Sequence, residues 1–260
     1  MKIYIINLQQ DVKRKEFQIK QFDRLKISVE FINATTIDDI EILYQDHFFD
    51  WQRPLRKVEV ACYYSHRRLW EKIAKDTETV LILEDDVLIS KDLSKVVQGL
   101  HNFDFEYINL ESTGRKKLIA KENVAIDKKY NIYEIFQDRN GAGGYILTPS
   151  GAKKLLKLEE KIGIGLADAH IRSCLSLNAF QIEPLLVLQD SETNKYGLES
   201  IIKTVSNISS KEKPKIPLKY LFYFKSKRIK VQLIQGYVRI KSLFIAQKRV
   251  MKILIEDFKF

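Results

Sequence analysis

The sequence predicts an α/β fold in which a Rossmann-like sheet is flanked by helices and followed by a basic, helical C-terminal extension. Three observations lead there. Residues 2–8, Lys-Ile-Tyr-Ile-Ile-Asn-Leu, read as a buried strand, and the charged, helix-compatible run Asp11 to Leu25 and a second strand, Ile27 to Ile32, come next. Strand, helix, strand with a crossover of this length is a βαβ unit, for which parallel pairing is the default. Further on, the apolar run Val80 to Leu83 stops at three consecutive carboxylates, Glu84, Asp85 and Asp86. Last, the charge is unevenly spread: from Lys211 to Phe260 there are 14 lysines and arginines against three acids, a net of +11, which leaves 30 bases and 31 acids to residues 1–210.

The remaining elements follow in order. The second strand ends at Asn33-Ala34-Thr35-Thr36, and residues 37–56 are irregular, with Tyr44, Phe48, Phe49 and Trp51 ahead of Pro54. Val58 to Ala74 carries apolar residues at helical spacing (Val58, Cys62, Leu69, Ile73) and leads into the Val80 strand, a second βαβ-like unit. A short helix is expected over Lys91 to Leu100, with strands over Glu106 to Leu110 and Asn131 to Phe136. Three glycines, Gly141, Gly143 and Gly144, precede a strand that ends at Thr148-Pro149-Ser150. Proline is well placed in the first turn of the helix expected through Leu158. A helix over Asp168 to Leu177 and a strand over Leu185 to Leu188 complete a main domain assigned to residues 1–205. Lys211 to Pro217 reads as a linker within the extension, residues 206–260.

Composition narrows the function. With 260 residues, 45% hydrophobic and 11% aromatic, the chain buries one substantial core. No run approaches about 18 apolar residues, and the N-terminus turns polar too soon for a signal peptide, so a cytosolic protein is expected. Cys62 and Cys174 lack metal-ligand or redox spacing and read as structural thiols. The near-neutral body with its acidic triplet argues against a nucleic-acid path, and no nucleic-acid partner is expected. Neither G-x-x-x-x-G-K-[ST] nor H-E-x-x-H occurs.

The acidic triplet carries the most chemistry. It falls at the C-terminal end of a strand, where open α/β sheets bind ligands, and three adjacent acids repel one another unless a cation or several donors neutralise them. A divalent ion holding a phosphate meets that need, while a polar strand exit is the plainer reading.

Several segments, kept in order, resemble glycosyltransferase family 25, the lipopolysaccharide and lipooligosaccharide glycosyltransferases. They are Ile5-Ile6-Asn7-Leu8 with Asp11 and Arg14; Phe31-Ile32-Asn33-Ala34; Glu59, Cys62, Ser65, His66 and Trp70 on one helix; Leu83-Glu84-Asp85-Asp86-Val87; and Gly143 to Ala152. The chain departs from the family pattern at Val58 and Ala61, where glycines are usual, and at Gly165-Leu166-Ala167-Asp168.

The resemblance implies a GT-A type nucleotide-sugar-binding sheet, a UDP-sugar donor, a lipid-linked oligosaccharide acceptor and a divalent metal, Mn²⁺ or Mg²⁺. Hard oxygen ligands suit those ions, so Asp86 is expected on the metal and Glu84 or Asp85 on ribose or a water-mediated contact. Asp168 is the candidate base for an inverting transfer, with a helix cap as its alternative role. Its neighbour His170 is a second candidate metal ligand or a structural histidine. Asn7, Leu8 and Arg14 are expected near uracil and phosphate, with Ala34, Ser65, His66, Gly143 and Gly144 around the donor; Glu111 is a further acidic candidate. The aromatic and cationic residues from Leu218 to Phe260 fit an amphipathic helix pair on an anionic bilayer, on the cytoplasmic face of the inner membrane. Packing on the body or in a homodimer is the alternative. An inactive sugar- or nucleotide-binding protein, or a nucleic-acid binder using the basic tail, are the competing readings.

Overall fold

The computed structural model describes residues 1–138, 141–200, 202, 216 and 218–259. The first half runs β1 (Lys2–Asn7), α1 (Val12–Leu25), β2 (Glu30–Asn33), α2 (Glu41–His47), α3 (Lys57–Ala74), β3 (Val80–Glu84), β4 (Val87–Ile89), α4 (Leu93–Gly99) and β5 (Tyr107–Asn109). It continues through β6 (Lys117–Ala120), β7 (Val124–Ala125), β8 (Asn131–Gln137), β9 (Gly144–Leu147), α5 (Pro149–Ile162) and α6 (Ala167–Ser173). The last elements are β10 (Ala179–Glu183), β11 (Val187–Gln189), α7 (Leu221–Lys241) and β12 (Ala246–Arg249).

The main sheet has the order β12-β6-β8-β10-β5-β9-β3-β1-β2, with β7 added to β8, and β11 pairs β4 in a separate ribbon. The expected βαβ unit is present: β1 runs parallel to β2 (Tyr4 opposite Glu30) and also to β3 (Ile3 opposite Leu81). Strand alternation divides the core in two. Tyr4, Ile6, Val80 and Ile82 pack with Leu69 and Trp70 of α3 and Leu155 of α5. Ile3, Ile5, Leu81 and Leu83 point the other way, onto Phe22 of α1 and Val96 of α4. Strands covered on both faces read as unbroken apolar runs, which is why β1 and β3 were legible.

Local chemistry sets the helix ends. Asp11 caps α1 by accepting from the Arg14 amide at 3.4 Å, and Lys26 closes that helix in the left-handed region, φ 56°. Because this closure is tight, β2 starts at Glu30 and not at Ile27 as expected. Thr148 accepts from the Gly151 amide at 3.2 Å with Pro149 behind it, as anticipated, and α5 runs on to Ile162.

Two corrections concern the second half. The strand expected over Leu185 to Leu188 is β11, two residues later, and β10 precedes it across a cis Glu183–Pro184 peptide. The expected pair of C-terminal helices is one helix, α7, followed by a strand. β12 forms the sheet edge against β6 (Ala246 opposite Ala120), Arg249 grips Glu183 through two contacts of 2.5 and 2.6 Å, and Met251 and Phe258 are buried. The boundary expected at residues 205 and 206, and the linker apart from Ile216, lie outside the described residues.

Helix α7 is held from below. Phe224 is buried, its ring 5.9 Å from that of Phe49, and Lys227 donates to the carbonyls of Phe49 and Asp50 at 2.9 and 2.7 Å. Its outer side leaves Phe222, Ile229, Leu233, Tyr237 and Ile240 exposed, and Phe244 continues that line. Spacings of seven, four, four and three residues place the five helical positions in one stripe, and Phe244 follows in the turn after the helix. Among the described residues no helix is long and apolar enough to cross a membrane.

Candidate active site

β1 and β3 are neighbours with Ile6 opposite Glu84, and their crossover helices lie on opposite faces, α1 on one and α3 on the other. This is a topological switch point, where a crevice opens beyond the strand ends. The acidic triplet stands at its mouth.

The triplet is divided by direction. Asp85 turns into the protein, where its carboxylate accepts from Arg14 Nη1 at 2.8 Å and Asn7 Nδ2 at 2.7 Å. The turn is tied to α1 by Gln18 Nε2, which donates to the carbonyls of Asp85 and Val87 at 3.0 and 2.8 Å, and by Gln21, which bonds Val87 and Ile89. Burial raises the Asp85 pKa against the pull of Arg14 and Asn7. Glu84 and Asp86 leave the turn partly exposed, at 28% and 30% of their side-chain surface. Burial of the carboxyl and the nearby Glu84 charge push Asp86 up to about 7, with Arg14 opposing. Asp86 Oδ1 is buried with no hydrogen-bond partner. A carboxylate with an orphaned oxygen beside a second acid is a fitting donor set for a hard divalent cation.

Behind Glu84 stands α3. Cys62 and His66, four residues apart, share a helix face, and their ligand atoms lie with a Glu84 oxygen within 4.8 Å of one another. His66 Nε2 is 3.3 Å from Glu84, while Nδ1 meets the Tyr145 hydroxyl at 3.0 Å, itself an acceptor from Trp70 Nε1 at 2.9 Å. Cys62 thus lines the cleft as a half-buried residue where a buried structural thiol was expected; desolvation of its sulfur, then the charges of Glu84, Asp168, Asp86 and Glu59, hold its thiol protonated. Cys174 is buried as expected.

The cleft has a volume of about 590 Å³. One wall presents Arg53 and Arg56, positioned by Glu59, whose carboxylate receives Arg53 at 2.7 and 2.8 Å and Arg56 at 2.6 Å. Burial opposes ionisation of Glu59, but these bonds prevail and bring its pKa down to about 2. Another wall is formed by Gly143, Gln189 and Glu111. Glu111 accepts from the Gly143 amide at 2.8 Å, its Oε2 is buried without a partner, and burial with the Glu84 charge raises its pKa to about 8. A side chain at Gly143 would stand 2.7 Å from Gln189 Nε2 and 2.8 Å from Glu111 Oε2, so glycine keeps this wall open.

Asp168 lines the cleft from the first turn of α6, accepting from the Ala169 amide at 2.7 Å. Burial raises its pKa and Arg172 opposes the shift. Asp168 and Arg172 also line a second cavity of about 500 Å³ between α6, β8 and α7.

Other expected site residues have structural placements. His170 is not brought to the acids: its Nε2 meets the Leu155 carbonyl at 3.0 Å and its ring stacks on Trp70 at 5.5 Å, with burial lowering its pKa. Ser65 accepts from the Thr35 amide at 2.9 Å and donates to Ala61 at 3.0 Å, which locks α3 to the end of β2. The Ala34 amide donates to Asn7 at 2.8 Å, and the Leu8 carbonyl accepts from Asp11 at 2.8 Å in the turn into α1. Gly144 packs under Val187, where a Cβ would meet Cγ1 at 2.8 Å. Asn7 and Arg14 serve Asp85. Sequence reasoning missed Arg53, Arg56, Arg115, Arg172 and Gln189, which line the cleft. A signal existed for two of them, since Arg53 and Arg56 lie just ahead of a helix whose third residue is Glu59.

Residues 1–171 match the profile of glycosyltransferase family 25 (LPS biosynthesis protein). A putative glycosyltransferase of Haemophilus influenzae is 28% identical over 161 residues, 60% of this chain and 56% of that one. Human procollagen galactosyltransferase 2 is 26% identical over 242 residues, 78% of this chain and 37% of that protein. The lipooligosaccharide biosynthesis protein lic2B of Haemophilus influenzae is 25% identical over 198 residues, 70% and 68% of the two chains. The chain thus spans about half the length of the first of these relatives and a smaller share of the human one. Among solved structures, the inositol-1-phosphate CTP transferase from T. maritima aligns over 87% of this chain and 96% of its own at 14% identity, with a TM-score of 0.42. The chain belongs to glycosyltransferase family 25.

Proposed function

We propose that this protein transfers a hexose from a UDP-sugar to a lipooligosaccharide or lipopolysaccharide acceptor, with inversion, on a sheet of GT-A type. The observation that carries the reading is one cleft at the end of β3 lined by Glu84 together with Arg53 and Arg56, with Asp86 in the same acidic turn two residues on. Relatives named galactosyltransferases support galactose as the sugar, with glucose the second candidate, and a relative named for lipooligosaccharide biosynthesis supports the acceptor class.

Arg53 and Arg56 neutralise the donor's diphosphate, since guanidinium forks match phosphate oxygens. Asp86 holds Mn²⁺ or Mg²⁺, which supplies charge stabilisation to the leaving diphosphate. Glu84 contacts ribose directly or through water. Asp168 takes the proton of the acceptor hydroxyl, and its raised proton affinity suits a general base. Gly143 admits the sugar beside Glu111.

The α7 stripe supports a peripheral site on an anionic bilayer, which we propose is the cytoplasmic face of the inner membrane. Apolar side chains enter the interface while lysines and arginines meet lipid phosphates. A homodimer through the same stripe is the second reading, favoured by the same exposed residues.

Calorimetric titration of UDP, UDP-galactose and UDP-glucose, each with and without Mn²⁺, tests the donor site on wild type and Asp86→Ala. Metal-dependent binding lost in Asp86→Ala is expected. Absence of nucleotide binding by folded wild type would overturn the transferase reading.

A further inference from the structure

Among the described residues, the second cavity shares two with the cleft, Asp168 and Arg172. The candidate base therefore stands on the partition between two spaces, with the acidic turn and the arginine wall on one side. The other side has different chemistry. Ile171, Leu177 and Ile245 give it apolar surface, Tyr107 and Tyr237 give it rings, and Glu134, Asp138 and Lys241 give it polar groups.

Its rim is unusual for a surface that meets only water. Tyr237, Leu175 and Ile245 are 63%, 58% and 57% exposed while lining the same cavity. Large apolar side chains gathered around an opening mark a binding surface more often than scattered ones do. Rings and aliphatic edges interleaved with carboxylates and cations fit a pyranose, which offers an apolar C–H face and a polar hydroxyl edge. The volume lies within the range of about 300–1,000 Å³ found for small-molecule sites.

The position in the chain adds an independent reason. The family profile ends at residue 171, and the cavity wall formed by Tyr237, Val238, Lys241, Ser242 and Ile245 lies beyond it. Relatives sharing the matched region carry names that point to different acceptors, procollagen in one case and lipooligosaccharide in another. A cavity wall outside the family's shared profile is a natural place for acceptor choice.

We propose that this cavity is the acceptor site: it takes the terminal pyranose of the acceptor glycan, stacked on Tyr237 and Leu175, and presents its hydroxyl to Asp168. The proposal rests on the transferase reading and names the substrate side of the same centre. During transfer the acceptor oxygen forms the new bond to the anomeric carbon, its proton goes to Asp168, and the bond to the diphosphate breaks with its electron pair on the leaving oxygen. The acceptor chain then leaves along α7, on the side of the exposed stripe.

The test uses the full chain with UDP present and two soluble probes, octyl β-galactoside and octyl β-glucoside, followed by saturation-transfer NMR. Tyr237→Ala and Leu175→Ala are the variants, both at exposed positions where the fold is spared; circular dichroism confirms this. Wild type should saturate the ring protons of at least one glycoside, and each variant should weaken that binding about 10-fold, as loss of one stacking or apolar contact implies. UDP affinity, measured by calorimetry on the same samples, should hold within about twofold, because neither residue lines the donor cleft. No saturation by wild type that binds UDP, or equal signals from wild type and Tyr237→Ala, would overturn the acceptor site and leave the donor site standing. A wild type that binds no UDP would remove both.

Discussion

Arg14 Nη1 lies 2.8 Å from the Asp85 carboxylate and 3.7 Å from that of Asp86, so one guanidinium serves two adjacent acids that face different ways. The pair with Asp85 is largely buried, with side-chain exposures of 12% and 9%. Removing one member of such a pair leaves the other charge desolvated and alone. Arg14→Ala should lower unfolding free energy by about 3 kcal/mol in urea titration. Asp85→Asn, which keeps an oxygen for Asn7 or Arg14, should cost less. An Arg14→Ala loss under about 0.5 kcal/mol would show that the turn is held by Gln18 and Gln21 alone.

Glu59 gives a pH-dependent contribution. Its folded pKa, about 2, is below the unfolded value of 4.5, so the unfolded chain binds more protons in this window. The stabilisation is present in full above about pH 4.5 and is lost as pH falls towards 2. It amounts to roughly 3 kcal/mol. Glu59→Gln should flatten the acid limb of a stability-versus-pH curve between pH 5 and 3, and should weaken UDP binding by releasing Arg53 and Arg56. A curve that superimposes on wild type would show that the arginines are positioned by other means.

The two glycines make different demands. At Gly144 an added Cβ meets the branched Val187 side chain at 2.8–3.0 Å inside the sheet, where nothing can swing aside. Gly144→Ala should therefore destabilise by about 1–3 kcal/mol. At Gly143 the Cβ meets the ends of Gln189 and Glu111, which can move. Gly143→Ala should leave the melting temperature nearly unchanged and weaken UDP-sugar binding more than UDP binding. Equal losses of stability at both positions would contradict this division.

These residues also show what the sequence revealed. β1 and β3 were legible because burial on both faces makes a strand a continuous apolar run, and the acids stood out by ending one. The split within the triplet was half legible: alternate residues leaving a strand share a side, which groups Glu84 with Asp86, but nothing local announces that Arg14, 71 residues earlier, claims Asp85. His170 stands two residues from Asp168, yet helix rotation carries its ring into the Trp70 cluster. β4 and β12 were missed because each is short and paired with a partner distant in sequence, β11 and β6, so tertiary context decides them. The basic tail was read from composition, which records charge but not that Met251 and Phe258 return to the core.

That return changes how the membrane proposal must be tested. Deleting residues 214–260 would strip β12 from the sheet edge and the Arg249 contacts from Glu183, so any loss of binding would be confounded by damage to the body. Substitution of the outward stripe avoids this, because Phe222, Leu233, Ile240 and Phe244 are exposed while Phe224, which anchors α7, stays in place. The quadruple serine variant should keep the wild-type melting temperature and lose sedimentation with phosphatidylglycerol vesicles by about 100-fold or more, since several apolar side chains no longer enter the interface. Wild-type binding should also weaken with salt and with neutral phosphatidylcholine, because the lysines and arginines around the stripe act through charge. Sedimentation velocity separates the occupants: a monomeric wild type that binds vesicles supports the bilayer, whereas a dimer abolished by the same four substitutions, with vesicle binding absent throughout, would assign the stripe to a second copy of the chain.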